Sequence, residues 1–407
     1  MDFQSVRTLD IKNKTILLRA DLNVPKQGHN VSDTTRIDRL KPTIDYLREN
    51  GAKTLILSHF GRPEGEQNPE MSLAFLAPVL EKQWETPVSF SPQCIGEVAK
   101  GIAEATKPGD VVLLENVRFH KGEKANDPEF AQELASLGDI YVNDAFSASH
   151  RAHASTEGIT HHLPAAAGLL MEEELNALQN ALETPKRPVM AVAGGSKIST
   201  KLSVLENLIE KVDYLVLGGG MANTFLYAQG ISLGRSLCEK DMAETARDIM
   251  VKAQRIGCQI ILPKDVVAVT ELKENAPHQI VDVNNIPDDH MAIDIGTQSI
   301  EHLNEIVQEC ETVVWNGPMG VFEIKPFDNG TNKVAEFVAN KTQNGSCISV
   351  AGGGDTVAAL ENAGAADKFS YISTAGGAFL EWLEGKELRG VKALQQSAQN
   401  NKAAKSA

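Results

Sequence analysis

The sequence predicts an α/β fold of two doubly wound (Rossmann-like) parallel-sheet domains joined by a central helix and hinge. Three observations carry this. Short apolar runs alternate with helical stretches along the whole chain, and most of these runs are continuous, as expected of strands buried on both faces of a parallel sheet. At 407 residues the chain exceeds what one hydrophobic core usually holds. Near mid-chain, Met171, Leu175, Leu178 and Leu182 fall at helical spacing before Pro185 and Pro188, which places a linking helix between two halves.

The predicted strands, in order, are Thr15 to Arg19, Thr54 to Ser58, Val111 to Leu114, Ile140 to Val142, Val189 to Ala193, Tyr214 to Leu217, Ile260 to Leu262, Ala292 to Ile295, Val313 to Trp315, Cys347 to Val350 and Tyr371 to Ser373. The polar, alanine-rich tail after Leu394 is expected to fray. No apolar run approaches the ~18 residues that span a bilayer, and the amino terminus lacks a signal-peptide pattern, so the expected location is cytoplasmic. Five scattered cysteines with no C-x-x-C pair argue for reduced thiols and against a zinc site. A net charge of −15 disfavours nucleic acid and anionic membrane as partners. An anionic ligand must then be met by a local basic cluster.

In the amino-terminal half, cations stand just past strand ends. Arg19-Ala20-Asp21-Leu22-Asn23-Val24-Pro25 closes the first strand, with Arg36 after a polar loop. Ser58-His59-Phe60-Gly61-Arg62-Pro63 closes the second, Glu115-Asn116-Val117-Arg118-Phe119-His120 a later one, and Ser149-His150-Arg151-Ala152-His153 follows Asp144. One arginine after a strand is usually a structural ion pair. Four of them, with His59 and donors around Asn23, fit one anion pocket, because guanidinium forks bind phosphate and carboxylate bidentately. Asp21 would be repelled by anionic groups, which leaves it to accept from a hydroxyl. The implied ligand is a small hydroxylated acid phosphate.

In the carboxy-terminal half, five strands run into glycine: Val192-Ala193-Gly194-Gly195-Ser196-Lys197, Leu217-Gly218-Gly219-Gly220-Met221, Thr312 to Glu323 (T-V-V-W-N-G-P-M-G-V-F-E), Val350-Ala351-Gly352-Gly353-Gly354-Asp355-Thr356 and Ser373-Thr374-Ala375-Gly376-Gly377. Glycines there let a ligand approach bare backbone, at the sheet edge where open α/β folds bind ligands. Lys197 and Lys201 would share one face if a helix begins near Ser196, and a helix amino terminus after glycines binds phosphate. Asp355 and Thr356 have the types expected for a magnesium or phosphate contact, and Glu323 could accept from ribose hydroxyls. No Walker loop and no dinucleotide fingerprint occurs.

These motifs stand in the order of the phosphoglycerate kinase family, which the chain resembles along essentially its whole length: R-A-D-L-N-V-P, S-H-F-G-R-P, E-N-V-R-F-H, H-R-A-H-A-S, G-G-S-K-I-S-T-K, G-G-G-M-A-N-T-F, V-W-N-G-P-M-G-V-F-E, G-G-G-D-T and S-T-A-G-G-A-F-L-E. The resemblance implies a 3-phosphoglycerate domain over 1–170 using Asp21, Asn23, Arg36, His59, Arg62, Arg118 and Arg151. It implies a linker over 171–187 and a nucleotide domain over 188–387 using Lys197, Lys201, Gly219, Asn316, Glu323, Gly353, Gly354, Asp355 and Thr356. Residues 388–407 are expected to pack back on the first domain. Implied activity is reversible, in-line phosphoryl transfer from 1,3-bisphosphoglycerate to ADP with Mg2+, after hinge closure, in a monomer. Arg36, Lys197 and Gly376 are the expected catalytic residues and Asp355 the metal contact. Thr297 and Arg389 stand where the family often has proline, and Ala375 where it has glycine. If that glycine role has passed to Gly376 and Gly377, Ala375 should have an ordinary negative φ.

Two other classes are weighed. A nicotinamide dehydrogenase needs the fingerprint missing here. A non-catalytic hinge sensor of a phosphorylated acid would be expected to have lost Lys197, Asp355 or Arg36, and all three are present.

Overall fold

Apolar runs of this chain sort into two separate parallel sheets, and each sheet organises its own core. The structure, a computed structural model, describes residues 3–28 and 30–406, with side chains described as far as 401. Contacts divide it into two units, Met1–Asn176 together with Glu387–Ala407, and Ala177–Lys386.

The first unit contains β1 (Thr15–Arg19), the short antiparallel pair β2 (Lys26–Gln27) and β3 (Asn30–Val31), β4 (Lys53–Leu57), β5 (Val88–Ser91), β6 (Val111–Leu114), β7 (Ile140–Asn143) and β8 (Ala165–Ala167). Six of them form one sheet in the order β5-β6-β4-β1-β7-β8, every pair parallel. Side chains alternate between faces, so Ile16 and Leu18 of β1 enter the core with Ile56, Leu113 and Val142, while Leu17 is buried on the other face. Each such full burial contributes roughly 1.5–3 kcal/mol. The edge strand β8 is all alanine and all buried. Small side chains there let the helix Arg389–Ser406 lie against it, where Ser397 Oγ accepts from Ala165 N at 3.0 Å. The tail expected to fray is therefore helical, and its polar residues include the one that satisfies an edge-strand donor.

The second unit contains β9 (Val189–Ala193), β10 (Tyr214–Leu217), β11 (Gln259–Ile261), β12 (Asp265–Val269), β13 (His278–Asp282), β14 (Met291–Ile295), β15 (Thr312–Asn316), β16 (Ile348–Gly352) and β17 (Tyr371–Ser373). Its parallel sheet runs β11-β10-β9-β15-β16-β17. The predicted strand around Ala292 is outside that sheet: β14 lies antiparallel to β12 in a separate three-stranded sheet.

The helix Leu169–Leu178 continues into a π turn, Gln179–Glu183, with Met171, Leu175, Leu178 and Leu182 all buried. Its first turn is held by Thr43 Oγ1, which accepts from Leu169 N, and by Asp144 Oδ1, which accepts from Met171 N at 2.8 Å. The division between units falls inside this helix, after Asn176, rather than at its start. Thr297 and Arg389 are each the first residue of a helix, Thr297–Glu309 and Arg389–Ser406. Proline is favoured at that position but not required, which explains why both departures are accommodated.

Candidate active site

Parallel strands end on one side, so the residues that follow β1, β4, β6 and β7, four neighbours in the first sheet, share one edge. Arg36, in the short helix Thr35–Asp38, reaches back to this edge: its Nη1 donates to Asp21 Oδ2 at 2.9 Å and to the Asn23 carbonyl at 3.0 Å. Asp21 Oδ2 also accepts from the Ser147 hydroxyl, and its Oδ1 from Asn23 N. Asp21 thus has an arginine and a serine as partners in addition to any ligand hydroxyl. Asn23 Oδ1 accepts from Gly61 N at 2.9 Å, and Arg118 Nη1 donates to the Gly61 carbonyl at 2.9 Å. The chain after β1, β4 and β6 is thereby tied together beneath the cations.

Electrostatics here follow from crowding of like charge. Burial and the neighbouring Arg19 charge pull Arg118 down to about 10, and Arg151 pushes the same way, yet Arg118 stays cationic at neutral pH. Burial first, then Arg19, Arg118, His153 and Arg36, hold His59 well below the usual histidine range, so its ring is neutral. Arg62 and Arg151 are exposed, Arg151 donating from Nε to His150 Nε2 at 3.0 Å. Contacts or charge effects join Asp21, Asn23, Arg36, His59, Arg118 and Arg151; among the described residues Arg62 adjoins this group only through Gly61.

The second unit presents a different edge. All five glycine junctions follow β10, β9, β15, β16 and β17, which are consecutive in the sheet. Close approach explains Gly194, where an added Cβ would lie 1.8 Å from the Pro318 carbonyl oxygen, and Gly353 has φ +99° immediately before a helix. Asn316, buried at the end of β15, donates from Nδ2 to the Gly352 carbonyl at 2.7 Å and accepts at Oδ1 from Lys201 Nζ at 2.6 Å. Lys201 also donates to the Gly194 carbonyl, and Thr356 Oγ1 accepts from Gly317 N at 2.7 Å. Burial draws the Lys201 ammonium down to about 8, against the opposing charge of Asp355.

Helices Gly219–Ala228, Gly354–Asn362 and Gly376–Leu383 begin directly past β10, β16 and β17. The last two start side by side, since a Cβ on Gly376 would stand 4.0 Å from Gly353 Cα. Paired helix amino termini offer unpaired N–H groups and positive dipole ends, a ready anion site. Asp355 is exposed in the first turn of its helix.

One expectation needs correction: no helix begins near Ser196. Residues 199–201 form a turn and the helix is Leu202–Ile209, so Lys197 is exposed while Lys201 turns inward. Lys197 and Glu323, which is also exposed, make no contact with the Lys201–Asn316–Thr356 group among the described residues. Ala375 has φ −101°, the ordinary value expected. Three residues at these edges were given no role from the sequence. Arg19 is buried at the end of β1 beside His59; Ser147 holds Asp21; and Leu237, 55% exposed, lies at Gly220, where an added Cβ would be 3.1 Å from its Cδ2. The first had a visible signal, a charged residue ending an apolar strand; the other two had none.

Known proteins match this arrangement over nearly its full length. A sequence model of the phosphoglycerate kinase family matches residues 6–386. A phosphoglycerate kinase of Rhodospirillum centenum (strain ATCC 51521 / SW) is 60% identical over 394 residues, covering 97% of this chain and 100% of its own, and one of Rhizobium meliloti (strain 1021) is 55% identical over 397 residues, covering 97% and 100%. Among solved structures, phosphoglycerate kinase from Coxiella burnetii superposes with a TM-score of 0.91 at 43% identity, covering 98% of this chain and 100% of that one. The enzyme from Pyrococcus horikoshii OT3 gives 0.79 at 31% identity, covering 97% and 99%. With nine motifs in order, two parallel sheets that superpose on solved relatives, and relatives matched end to end, the chain belongs to the phosphoglycerate kinase family.

Proposed function

We propose that this chain catalyses the glycolytic phosphoglycerate kinase reaction, reversible phosphoryl transfer from 1,3-bisphosphoglycerate to ADP that yields 3-phosphoglycerate and ATP. The observation that carries the reading is the pairing of an arginine-rich strand edge in one unit with a glycine-lined edge of helix amino termini in the other. The first suits a small acid phosphate, bound by Arg36, Arg62, Arg118 and Arg151 with His59, Asp21 and Asn23. The second suits a nucleotide, bound by Lys197, Lys201, Gly219, Asn316, Glu323, Gly353, Gly354, Asp355 and Thr356, with Leu237 as an apolar contact for the base.

In the ATP-consuming direction the nucleophile is a carboxylate, ionised near neutral pH, so no general base is needed. Catalysis then rests on in-line positioning and on charge aimed at the transferring group, from Lys197, Arg36 and the backbone N–H of Gly376. Magnesium bound with the nucleotide supplies charge neutralisation, and Asp355 is the residue to hold it. An exposed carboxylate beside two helix amino termini fits a cation that keeps waters and phosphates as its other ligands. The two ligand sites lie in separate units, so direct transfer requires them to be brought together with water excluded. The protein acts as a cytoplasmic monomer in this reading. The sensor reading has no observation in its favour. A coupled assay with 1,3-bisphosphoglycerate, ADP and Mg2+ should show ATP formation; a folded protein that binds both ligands and forms none would overturn the proposal.

A further inference from the structure

Arg19 ends β1 with 1% of its surface exposed, too deep to touch a ligand. Its Nε donates to Ser155 Oγ at 2.8 Å, its Nη1 to the Ala20 carbonyl at 2.5 Å, and its Nη2 lies 3.0 Å from His59 Nδ1. Behind Ser155 stands Glu123, fully buried, whose Oε1 accepts from Ser155 Oγ at 2.7 Å and Oε2 from Ser155 N at 2.9 Å, with His153 Nδ1 3.6 Å away. Burial alone would raise the Glu123 carboxyl. Hydrogen bonds from His153 and Ser155 and the Arg19 charge outweigh it, so Glu123 is an anion. A buried guanidinium thus has its compensating charge one serine away.

The chemistry of the Arg19–His59 contact admits one assignment. A guanidinium has donors only, so Nδ1 of His59 must be the acceptor, and the ring proton must sit on Nε2. We propose that Arg19, anchored through Ser155 to Glu123, is a positioning residue that locks His59 as the neutral Nε2–H tautomer, so that His59 meets the acid ligand as an uncharged donor of fixed direction. This rests on the placement of His59 in the acid pocket proposed above. The leading charge effects on His59 all oppose a second proton: Arg19 from β1, Arg118 after β6, His153 after β7 and Arg36 from its short helix; the acids of the cluster, Asp21 and Glu123, are engaged by Arg36 and by Ser155. Ligand charge is therefore met by the guanidinium groups and ligand direction by His59. Losing the Arg19 lock frees the ring to turn and removes the nearest repelling charge.

The test is a two-bond 1H–15N imidazole spectrum of the 15N-labelled full chain, with His59 assigned by comparison with His59→Gln. His59 should show the Nε2–H pattern and hold it unchanged from pH 8 to pH 5.5. An Nδ1–H pattern, or ordinary titration near 6.5, overturns the proposal. Adding 3-phosphoglycerate should shift His59 Nε2; if the tautomer is as expected but no shift occurs, the pocket assignment fails and the lock stands. In Arg19→Met, burial, Arg118, His153 and Arg36 still oppose a second proton, but with one repelling charge and the lock gone His59 should lose the fixed Nε2–H pattern and take up a proton more readily than in the wild type, and KM for 3-phosphoglycerate should rise about tenfold with kcat nearly held, the scale of one hydrogen bond to a charged group. That KM should acquire a pH dependence on the acid side that the wild type lacks, and Arg19→Lys should restore part of the lock. A folded Arg19→Met with a flat KM profile would mean that Arg19 serves stability alone. If that variant does not fold, the wild-type spectrum still decides.

Discussion

The two strand edges differ in what they offer to the anions proposed for them. In the first unit the proposed ligand-facing groups are side chains: guanidinium groups held in place by Asp21, the Asn23 carbonyl and the Gly61 carbonyl. In the second they are mostly main chain, exposed because glycine occupies every junction and because two helices start side by side. Side-chain charge gives geometry that suits a planar carboxylate and a terminal phosphate. Main-chain donors give close approach without flexible stems, which suits a polyphosphate whose charge moves during transfer. The arginine edge is accordingly the one that tolerates truncation. The glycine edge has no room for an added atom at Gly194, Gly220 or Gly317, though it has room at Gly354 and Gly376.

Four experiments would break or sharpen that contrast. Lys197→Ala should have the largest effect: the Lys197 side chain is exposed, the bond its carbonyl accepts from Thr200 survives truncation, and its charge is the last of the causes that lower Glu239, so the protein should fold while turnover falls by at least ~100-fold, the scale of one charge aimed at a transition state. Near-normal turnover in steady-state assays would remove Lys197 from the mechanism. Gly376→Ala comes next. The added methyl meets nothing closer than 4.0 Å, so melting should be unchanged while turnover falls roughly tenfold or more if this backbone meets the transferring phosphoryl. Equal loss of stability and activity would instead make Gly376 a packing residue.

Arg151→Ala should weaken 3-phosphoglycerate by about tenfold and leave nucleotide affinity alone, because one exposed guanidinium contributes about 1–2 kcal/mol to a phosphate contact. A drop in nucleotide affinity would contradict the division of ligands between units. The smallest effect concerns protons. Burial lowers Lys201 to about 8 in the free protein, so near pH 8 it is partly neutral. A nucleotide phosphate beside it favours the charged form and raises its pKa again, so binding at pH 8 should take up about half a proton and at pH 6.5 almost none. Calorimetry in buffers of different ionisation enthalpy measures this. Uptake that grows as pH falls would assign it to another group.

Much of this was legible because the chemistry sits where strands stop. Apolar runs such as Val189–Ala193 and Thr312–Asn316 announce buried parallel strands, and the charged or glycine-rich residues after them announce the edge. Where the sequence was silent, the physics explains why. β8 is three alanines, with no β-branched signature, and it forms a strand where Ser5, Asn143 and the last helix surround it. β12 follows β11 by only three residues, too few for a crossover helix, so a reading based on alternating strands and helices has no place for it. Arg19 reads as one strand-end cation among several, and its buried role was not legible because its partners Ser155 and Glu123 are distant in sequence and carry no local pattern. Lys197 and Lys201 differ in exposure because the helix start lies past both, at Leu202.

The helix Arg389–Ser406 has a consequence for how the molecule is made. Residues 177–386 form one unbroken stretch and can complete their sheet as soon as they leave the ribosome. The first unit cannot, although its strands are synthesised earliest. Until residue 397 emerges, Ala165 N at the margin of its sheet lacks the serine oxygen that will accept from it, and the alanine strand beside it lacks its cover. Open strand margins invite pairing with other chains. Synthesis order and completion order are therefore reversed in this protein, and the first half translated remains exposed until the last helix closes it.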